Sequence, residues 1–226
     1  MKKNINIKEE LIEIWDWEKA VPTGRAAARR KAHLEGIAHE GVHLWVVRTS
    51  GGAPELLFQH RAKHKDMYPD CLDITVGGHV PFAITGNKIQ KESFEEIGIS
   101  PADTEMCDLG YYRYEEKADG LFHREFQRVY LYVDNRPLNE YTFNDGEVDG
   151  ISAVLLKDIE KILHADAGIT AEIYDGKKTT RKTINRNNFH PLLFSPAMAE
   201  YMKVVIKGAK EIFNNDKVTA SMPSPV

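Results

Sequence analysis

Residues 77–99 read GGHVPFAITGNKIQKESFEEIGI, a Gly-Gly pair followed by a Glu-rich segment that closes on Glu95-Glu96-Ile97-Gly98-Ile99. Glu92, Glu95 and Glu96 stand at i, i+3 and i+4, so on a helix their carboxylates share one face. Like charges packed that closely repel, and the helix gains no stability from them. A divalent cation reverses the sign of the interaction. Mg²⁺ and Mn²⁺ favour hard oxygen ligands and keep positions open for phosphate oxygens. A solvated acidic helix face is the competing reading of the same spacing. The pattern predicts a helix from about Lys88 to Ile97, entered from a Gly-Gly turn and stopped by Gly98. Gly86 and Asn87, just ahead of it, are weak helix formers.

Around this segment, apolar alternation and turn residues predict strands over Leu11–Trp17, Val42–Arg48, Leu56–His60 and Ile74–Val76. Further strands are predicted over Leu109–Tyr114, Phe126–Val133 and Ile151–Leu155. Turns are expected at ValProThrGly (21–24), at ThrSerGlyGlyAlaPro (49–54) and at LysAlaAspGly (117–120). Residues 25–33 read as a short helix or basic loop, and Leu156–His164 as a second helix. Ala171–Asn188 is polar and basic with no clear period. Met198–Phe213 is amphipathic after a Ser195-Pro196 start, with Met198, Tyr201, Met202, Val205, Ile206, Ala209 and Phe213 on its apolar positions. The strand–helix order fits an α/β sandwich, a mixed sheet with helices on both sides.

The Glu-rich segment resembles the Nudix box: Gly, five residues, Glu, seven residues, then Arg-Glu-aliphatic-x-Glu-Glu-x-Gly-aliphatic. Its right half stands here as Lys91-Glu92-Ser93-Phe94-Glu95-Glu96-Ile97-Gly98-Ile99. Lys91 replaces the Arg, keeping the charge without the planar fork, and Ser93 replaces the aliphatic residue. Counted from Gly77 or Gly78, the upstream Glu position holds Ala83 or Ile84. The similarity runs over roughly residues 7–165, in an order like the Nudix branch of isopentenyl-diphosphate isomerase and its hydrolase-like relatives. It is carried by 29–33, 39–47, 55–69 and 73–80. The isomerases carry a catalytic Cys where this chain has Gly77, and Cys71 is out of register. Hydrolysis is therefore the expected reaction.

The resemblance implies a Nudix-type α/β/α sandwich with a mixed central sheet, plus a C-terminal helix. The domain would span residues 1–165, followed by an extension over 166–214 packed on it and a flexible tail over 215–226. It also implies a pyrophosphohydrolase using Mg²⁺ or Mn²⁺. Glu92, Glu95 and Glu96 would be the metal ligands, oriented by Lys91. His33, His39 and His79 fall where the isomerase branch places metal-binding histidines. Glu125 falls where it places a metal-ligating or catalytic Glu, and His123 replaces another acidic ligand. Histidine with carboxylate suits Mn²⁺ or Zn²⁺ better than Mg²⁺ alone. The general base would be Glu125 or Glu96, with Glu116 and Glu147 as rivals. A cross-strand pairing with Arg or Lys is the structural alternative for Glu125. Arg61 and Lys65 match the positions that grip a substrate diphosphate, bidentately by Arg and as a point charge by Lys. Trp45 and Tyr68 read as pocket lining or core, and His43, between Val42 and Leu44, as structural.

Composition narrows the partners. With 226 residues, 42% hydrophobic, the chain can build one sizeable core. A net charge of −4 suggests no nucleic-acid-coating surface. Two cysteines, Cys71 and Cys107, form no disulfide framework. The charged N-terminus lacks the apolar core of a signal peptide, and no apolar run approaches a membrane span. The expectation is a cytoplasmic protein with a small-molecule diphosphate substrate, no nucleic-acid or membrane partner, and a possible homodimer through the terminal helix. The alternative is a Nudix-fold protein that binds a nucleotide or diphosphate without turning it over.

Overall fold

His39–Arg48 (β3) is the axis of the structure, a computed structural model that describes residues 9–49, 52–84 and 88–226. Its run HEGVHLWVVR is buried almost throughout, as expected of a strand covered on both faces. Successive side chains point to opposite faces. Leu44 and Val46 join one core and Trp45 and Val47 the other. β3 pairs parallel with Leu121–Val133 (β8) and antiparallel with Glu55–Arg61 (β4) and Val76–His79 (β6). The sheet is therefore mixed, as the sequence predicts.

Leu11–Asp16 (β1) and Val21–Ala28 (β2) form one edge of the sheet. Leu72–Ile74 (β5) adds to β4, and Met106–Ala118 (β7) adds to β8. Val148–Leu155 (β9) pairs with β4, and beyond it lie Ile169–Tyr174 (β10) and Thr179–Ile184 (β11). Among the described residues four α-helices flank the sheet: Arg29–Glu35 (α1), Lys88–Ile97 (α2), Leu156–His164 (α3) and Ala199–Phe213 (α4). Ile89 and Ile97 of α2 pack into the core with Leu44 and Val46. Ile159 and Ile162 of α3 and Met202 and Val205 of α4 pack into the core with Trp45 and Val47. These two layers make the expected α/β/α sandwich.

The structure departs from the sequence reading at five places. The turn expected at 21–24 comes earlier, over residues 17–20, and Val21 already begins β2. Ile74–Val76 is not one strand, because β5 ends at Ile74 and β6 begins at Val76. Gly77 and Gly78 make no turn; they lie within β6, opposite His43 and Val42 of β3. Ala171–Asn188 contains most of the β10–β11 hairpin, which continues the sheet past position 165. Its outer strand, TTRKTI, is largely exposed, and a polar edge strand carries no apolar alternation. The tail expected to be loose after Asn214 is packed, with Ala220 and Met222 buried and Met222 N donating to Leu109 O at 2.7 Å. Ser50 and Gly51 of the expected hairpin turn, and Gly86 and Asn87, lie outside the described residues.

The amphipathic reading of the last helix is matched at six of its seven apolar positions, Phe213 being only half-buried. Met198, Tyr201, Met202, Val205, Ile206 and Ala209 are all buried in the same chain. Its apolar face is covered internally, so it supplies no argument for a dimer. Among the described residues no helix is long and apolar enough to cross a membrane.

Candidate active-site cleft

The cleft opens where β6, α1 and α2 meet β3, β4 and β8. It encloses about 440 Å³ and is lined by Glu92, Glu95 and Glu96, by His33, His79 and Glu125, and by Arg61 and Lys65; His39 is buried behind this lining.

The box helix forms one wall. Lys88 to Ile97 is helical as predicted, and Gly98 ends it at φ 73°, where L-residues are strained. Ile99 N donates back to Ser93 O at 3.2 Å, closing the last turn. Ser93, the departure from the aliphatic box position, is buried and donates to Ile89 O at 2.5 Å. Lys91 Nζ reaches Glu95 Oε2 at 2.8 Å and Glu92 Oε1 at 3.5 Å. Glu96 is buried, and its Oε2 accepts from Gln59 Nε2 at 3.0 Å and from Gly77 N at 3.3 Å. Burial holds the Glu96 carboxyl well above the usual range. Burial also raises Glu92, partly offset by Lys91. A Cβ on Gly78 would stand 2.7 Å from Glu92 Cγ, so the glycine lets the helix approach the strand.

The histidines form the second wall. His33 comes from the last turn of α1, His39 begins β3, His79 ends β6, and Glu125 lies on β8 directly opposite His39. One ligand atom from each of the four lies within 4.8 Å of all the others. His33 Nε2 and His79 Nε2 are 2.9 Å apart, and His39 Nδ1 donates to Ile37 O at 2.8 Å. His39 Nε2 and His33 Nδ1 are both buried without a hydrogen-bond partner, and Glu125 Oε1 stands 4.0 Å from His33 Nδ1. Burial pushes His33 down to about 4 and His79 well below its ordinary value, so both rings are neutral near pH 7. Burial favours the protonated form of Glu125, but its bond with His123 and the nearby His39, His79 and His33 outweigh that and hold it ionised. Three imidazoles around one carboxylate, two of them with an unpartnered buried nitrogen, match the donor set a divalent transition metal prefers. Among the described residues Glu125 pairs with no Arg or Lys. Its partners are His123 Nδ1 at 3.4 Å and Gln127 Nε2 at 3.2 Å.

The basic residues are tied down. Arg61 donates to Tyr68 O at 2.9 Å, to Met67 O at 3.0 Å and to Asp73 Oδ2 at 3.2 Å, so it braces the loop before β5. Lys65 is ion-paired with Glu147, which also lines the cleft. Glu116, the other rival base, accepts from Tyr114 and from Ser195 of the C-terminal segment, both at 2.7 Å. Trp45 is fully buried core, whereas Tyr68 lines the cleft and stacks near His190, with ring centroids 4.2 Å apart. Cys71 is not among the cleft-lining residues, and its thiol donates to Tyr68 O at 3.2 Å. Burial pushes that thiol up to about 12, so it is no nucleophile.

Several lining residues escape sequence reasoning. Gln59 and Gln127 are buried polar side chains on strands, and each fixes a carboxylate. A polar residue at an inward strand position is the signal that identifies them. His190, Leu192, Leu193 and Met198 reach the cleft from the C-terminal segment, which no periodicity linked to the site.

No family model matches the chain. An uncharacterized Nudix hydrolase of Clostridium acetobutylicum is 28% identical over 210 residues, covering 89% of this chain and 97% of that protein. Nudix hydrolase 3 of Arabidopsis thaliana is 31% identical over 147 residues, 62% of this chain but 19% of that protein. A crystal structure of a Deinococcus radiodurans protein matches with a TM-score of 0.50 at 19% identity, over 66% of this chain and 86% of that one, and shares its fold.

Proposed function

We propose, from its similarity to an uncharacterized Nudix hydrolase along almost the whole of both chains, that this chain is a Nudix hydrolase: a metal-dependent pyrophosphohydrolase of a small diphosphate-containing metabolite. The substrate would be a nucleoside diphosphate linked to another group, or a prenyl or other diphosphate. One observation carries this reading: a single cleft joins the box carboxylates, His33, His79 and Glu125 with His39 buried beside them, and the basic pair Arg61 and Lys65.

Glu92, Glu95 and Glu96 would hold Mg²⁺ or Mn²⁺ on one wall, and His33, His39, His79 and Glu125 would hold a cation on the other. Bound there, a divalent cation supplies charge neutralisation for phosphate oxygens and acidifies water. The chain's own residues do the rest. Lys91 orients Glu92 and Glu95 through its two contacts. Lys65 meets the diphosphate as a point charge after exchanging Glu147 for it. Arg61 keeps the bracing loop in place and turns its remaining donors to the cleft. Glu96 is the first candidate base, because burial raises its carboxyl's affinity for a proton. Glu125 is the second candidate base. Isomerisation through a thiol is disfavoured, since Gly77 supplies none and Cys71 is sequestered.

The test is a phosphate-release screen with Mg²⁺ or Mn²⁺, a phosphatase couple and Glu96→Gln as control. The panel holds nucleoside di- and triphosphates, dinucleotide cofactors, sugar nucleotides and prenyl diphosphates. Metal-dependent release lost in the variant supports hydrolysis. No release from folded protein across the panel sinks it. Binding without release would favour a non-hydrolytic binder instead, a reading supported by Ala83 and Ile84 at the upstream box position, where neither residue offers a carboxylate.

A further inference from the structure

His43 is fixed in one tautomer by a relay that begins in the core. Trp45 Nε1 and His43 Nδ1 both meet the hydroxyl of Tyr201, at 2.9 and 3.0 Å. The indole nitrogen can only donate, so Tyr201 Oη accepts from it. Tyr201 is fully buried on α4, and its single proton needs an acceptor. Among these partners that acceptor is His43 Nδ1. A ring that accepts at Nδ1 and is neutral must carry its proton at Nε2. The strand above the ring is open on that side. A Cβ on Gly77 would stand 3.5 Å from His43 Cδ2 and 3.9 Å from Nε2, so any side chain there would cover this edge. The glycine leaves it facing the cleft, which His43 lines beside Gly77, Gln59 and Glu96.

We propose that His43 is a substrate-contacting residue, donating its Nε2–H to a phosphate oxygen in the cleft, with Tyr201 and Trp45 as positioning residues that fix the donor. This rests on the diphosphate reading of the cleft. A neutral donor suits a site already crowded with ionisable groups, because it stabilises charge on phosphate without adding a cation that competes with the metal ligands. It also gives the C-terminal helix a part in the site, since α4 supplies the hydroxyl that sets the tautomer.

The experiment uses the full chain carrying ¹⁵N-labelled histidine, with the His43 ring signals assigned by their loss in His43→Gln. The expected spectrum shows an unprotonated Nδ1 and a protonated Nε2. The probe is methylenediphosphonate with Mg²⁺, its binding measured separately by calorimetry. The His43 Nε2 signal is expected to move on binding. His43→Phe is expected to weaken binding about tenfold, the size of one lost hydrogen bond to a charged group. His43→Gln, which restores an N–H, should recover part of that loss, and Tyr201→Phe should mix the tautomers and weaken binding in native His43. A protonated Nδ1 in the free protein overturns the proposal. So does a diphosphonate that binds with the His43 signals unmoved and with unchanged affinity in His43→Phe, and that outcome leaves the diphosphate reading standing. Absence of any diphosphonate binding defeats that reading and the role of His43 with it.

Discussion

His33 Nε2 and His79 Nε2 meet at 2.9 Å, and on the far side of the His33 ring the Nδ1 atom is buried without a partner. Without a cation, one of the two facing nitrogens donates and the other accepts, and the orphaned atoms around them remain a cost. A divalent cation bound there would exchange that arrangement for ligand bonds. Mn²⁺ or Zn²⁺ at a hundred times its Kd is expected to add about 2.7 kcal/mol, raising Tm by about 5–10 °C. EDTA should reverse the shift, and His79→Gln should abolish most of it. A Tm unmoved by Mg²⁺, Mn²⁺ and Zn²⁺ would show that the cluster binds none of them.

Glu96→Gln would separate stability from the proposed catalysis. Glu96 Oε2 accepts from Gln59 and Gly77, and an amide oxygen can accept the same two bonds. Glu96→Gln is therefore expected to leave the protein at least as stable at neutral pH, since the amide also escapes the burial cost that raises the carboxyl. Loss of a base or ligand at this atom should lower kcat about 10²–10⁴-fold. Denaturant unfolding together with phosphate-release kinetics checks both. A variant that keeps full activity removes Glu96 from the chemistry.

The box helix was legible to the residue, Lys88 to Ile97, because amphipathic spacing and a C-terminal glycine are local signals. The mixed sheet was legible because its strands are apolar and separated by turn residues. The β10–β11 hairpin was not, since its outer strand buries almost nothing and its pairing with β9 is set by distant sequence. The pair Gly77-Gly78 suggested a turn by composition, yet the residues are small for a different reason. Gly78 makes room for Glu92 and Gly77 exposes His43, and both neighbours come from other elements. In the site, residue types and spacing indicated the carboxylates and histidines. The side chains that fix them, such as Gln59, Gln127 and Tyr201, come from positions that a sequence read one segment at a time does not connect.

Arg61 and Lys65 differ in what holds them, and their variants should differ in kind. Arg61 bonds Asp73 and two loop carbonyls. Arg61→Met is expected to cost about 2–4 kcal/mol of stability by leaving Asp73 and the loop unsatisfied, and to raise KM. Lys65 has a half-exposed partner, Glu147, so Lys65→Met should leave stability within about 1 kcal/mol and raise KM alone. Equal KM values for Lys65→Met and the native protein would remove Lys65 from substrate binding.

Gly78 tests the approach of the box helix to the sheet. An added methyl would meet Glu92 Cγ at 2.7 Å and Cδ at 2.8 Å, atoms too near the helix backbone to swing away freely. Gly78→Ala is expected to displace the Glu92 carboxylate, costing about 1–3 kcal/mol in stability. It should also weaken Mg²⁺ or Mn²⁺ activation, read as a higher metal concentration at half-maximal rate. An unchanged metal dependence would mean that the position of Glu92 does not matter to the bound cation.

Glu211 holds the C-terminal tail on α4. Its carboxylate accepts from Thr219 Oγ1 at 2.6 Å and from the backbone nitrogens of Thr219 and Ala220, both at 2.9 Å. The Thr219 hydroxyl is the largest cause that draws this carboxyl from its ordinary 4.5 down to about 2. A depressed carboxyl stabilises the fold above its ordinary value, and the contribution is lost as pH falls through the folded one. Glu211→Gln is therefore expected to melt below the native protein at neutral pH. The gap should close steadily as pH falls from about 4.5 toward about 2. Hydrogen exchange should show the amides of Thr219, Ala220 and Met222 less protected in the variant, since Met222 N is the tail's next bond, to Leu109 O. A gap between the two proteins that does not narrow with acid would mean that the Glu211 charge does not hold the tail.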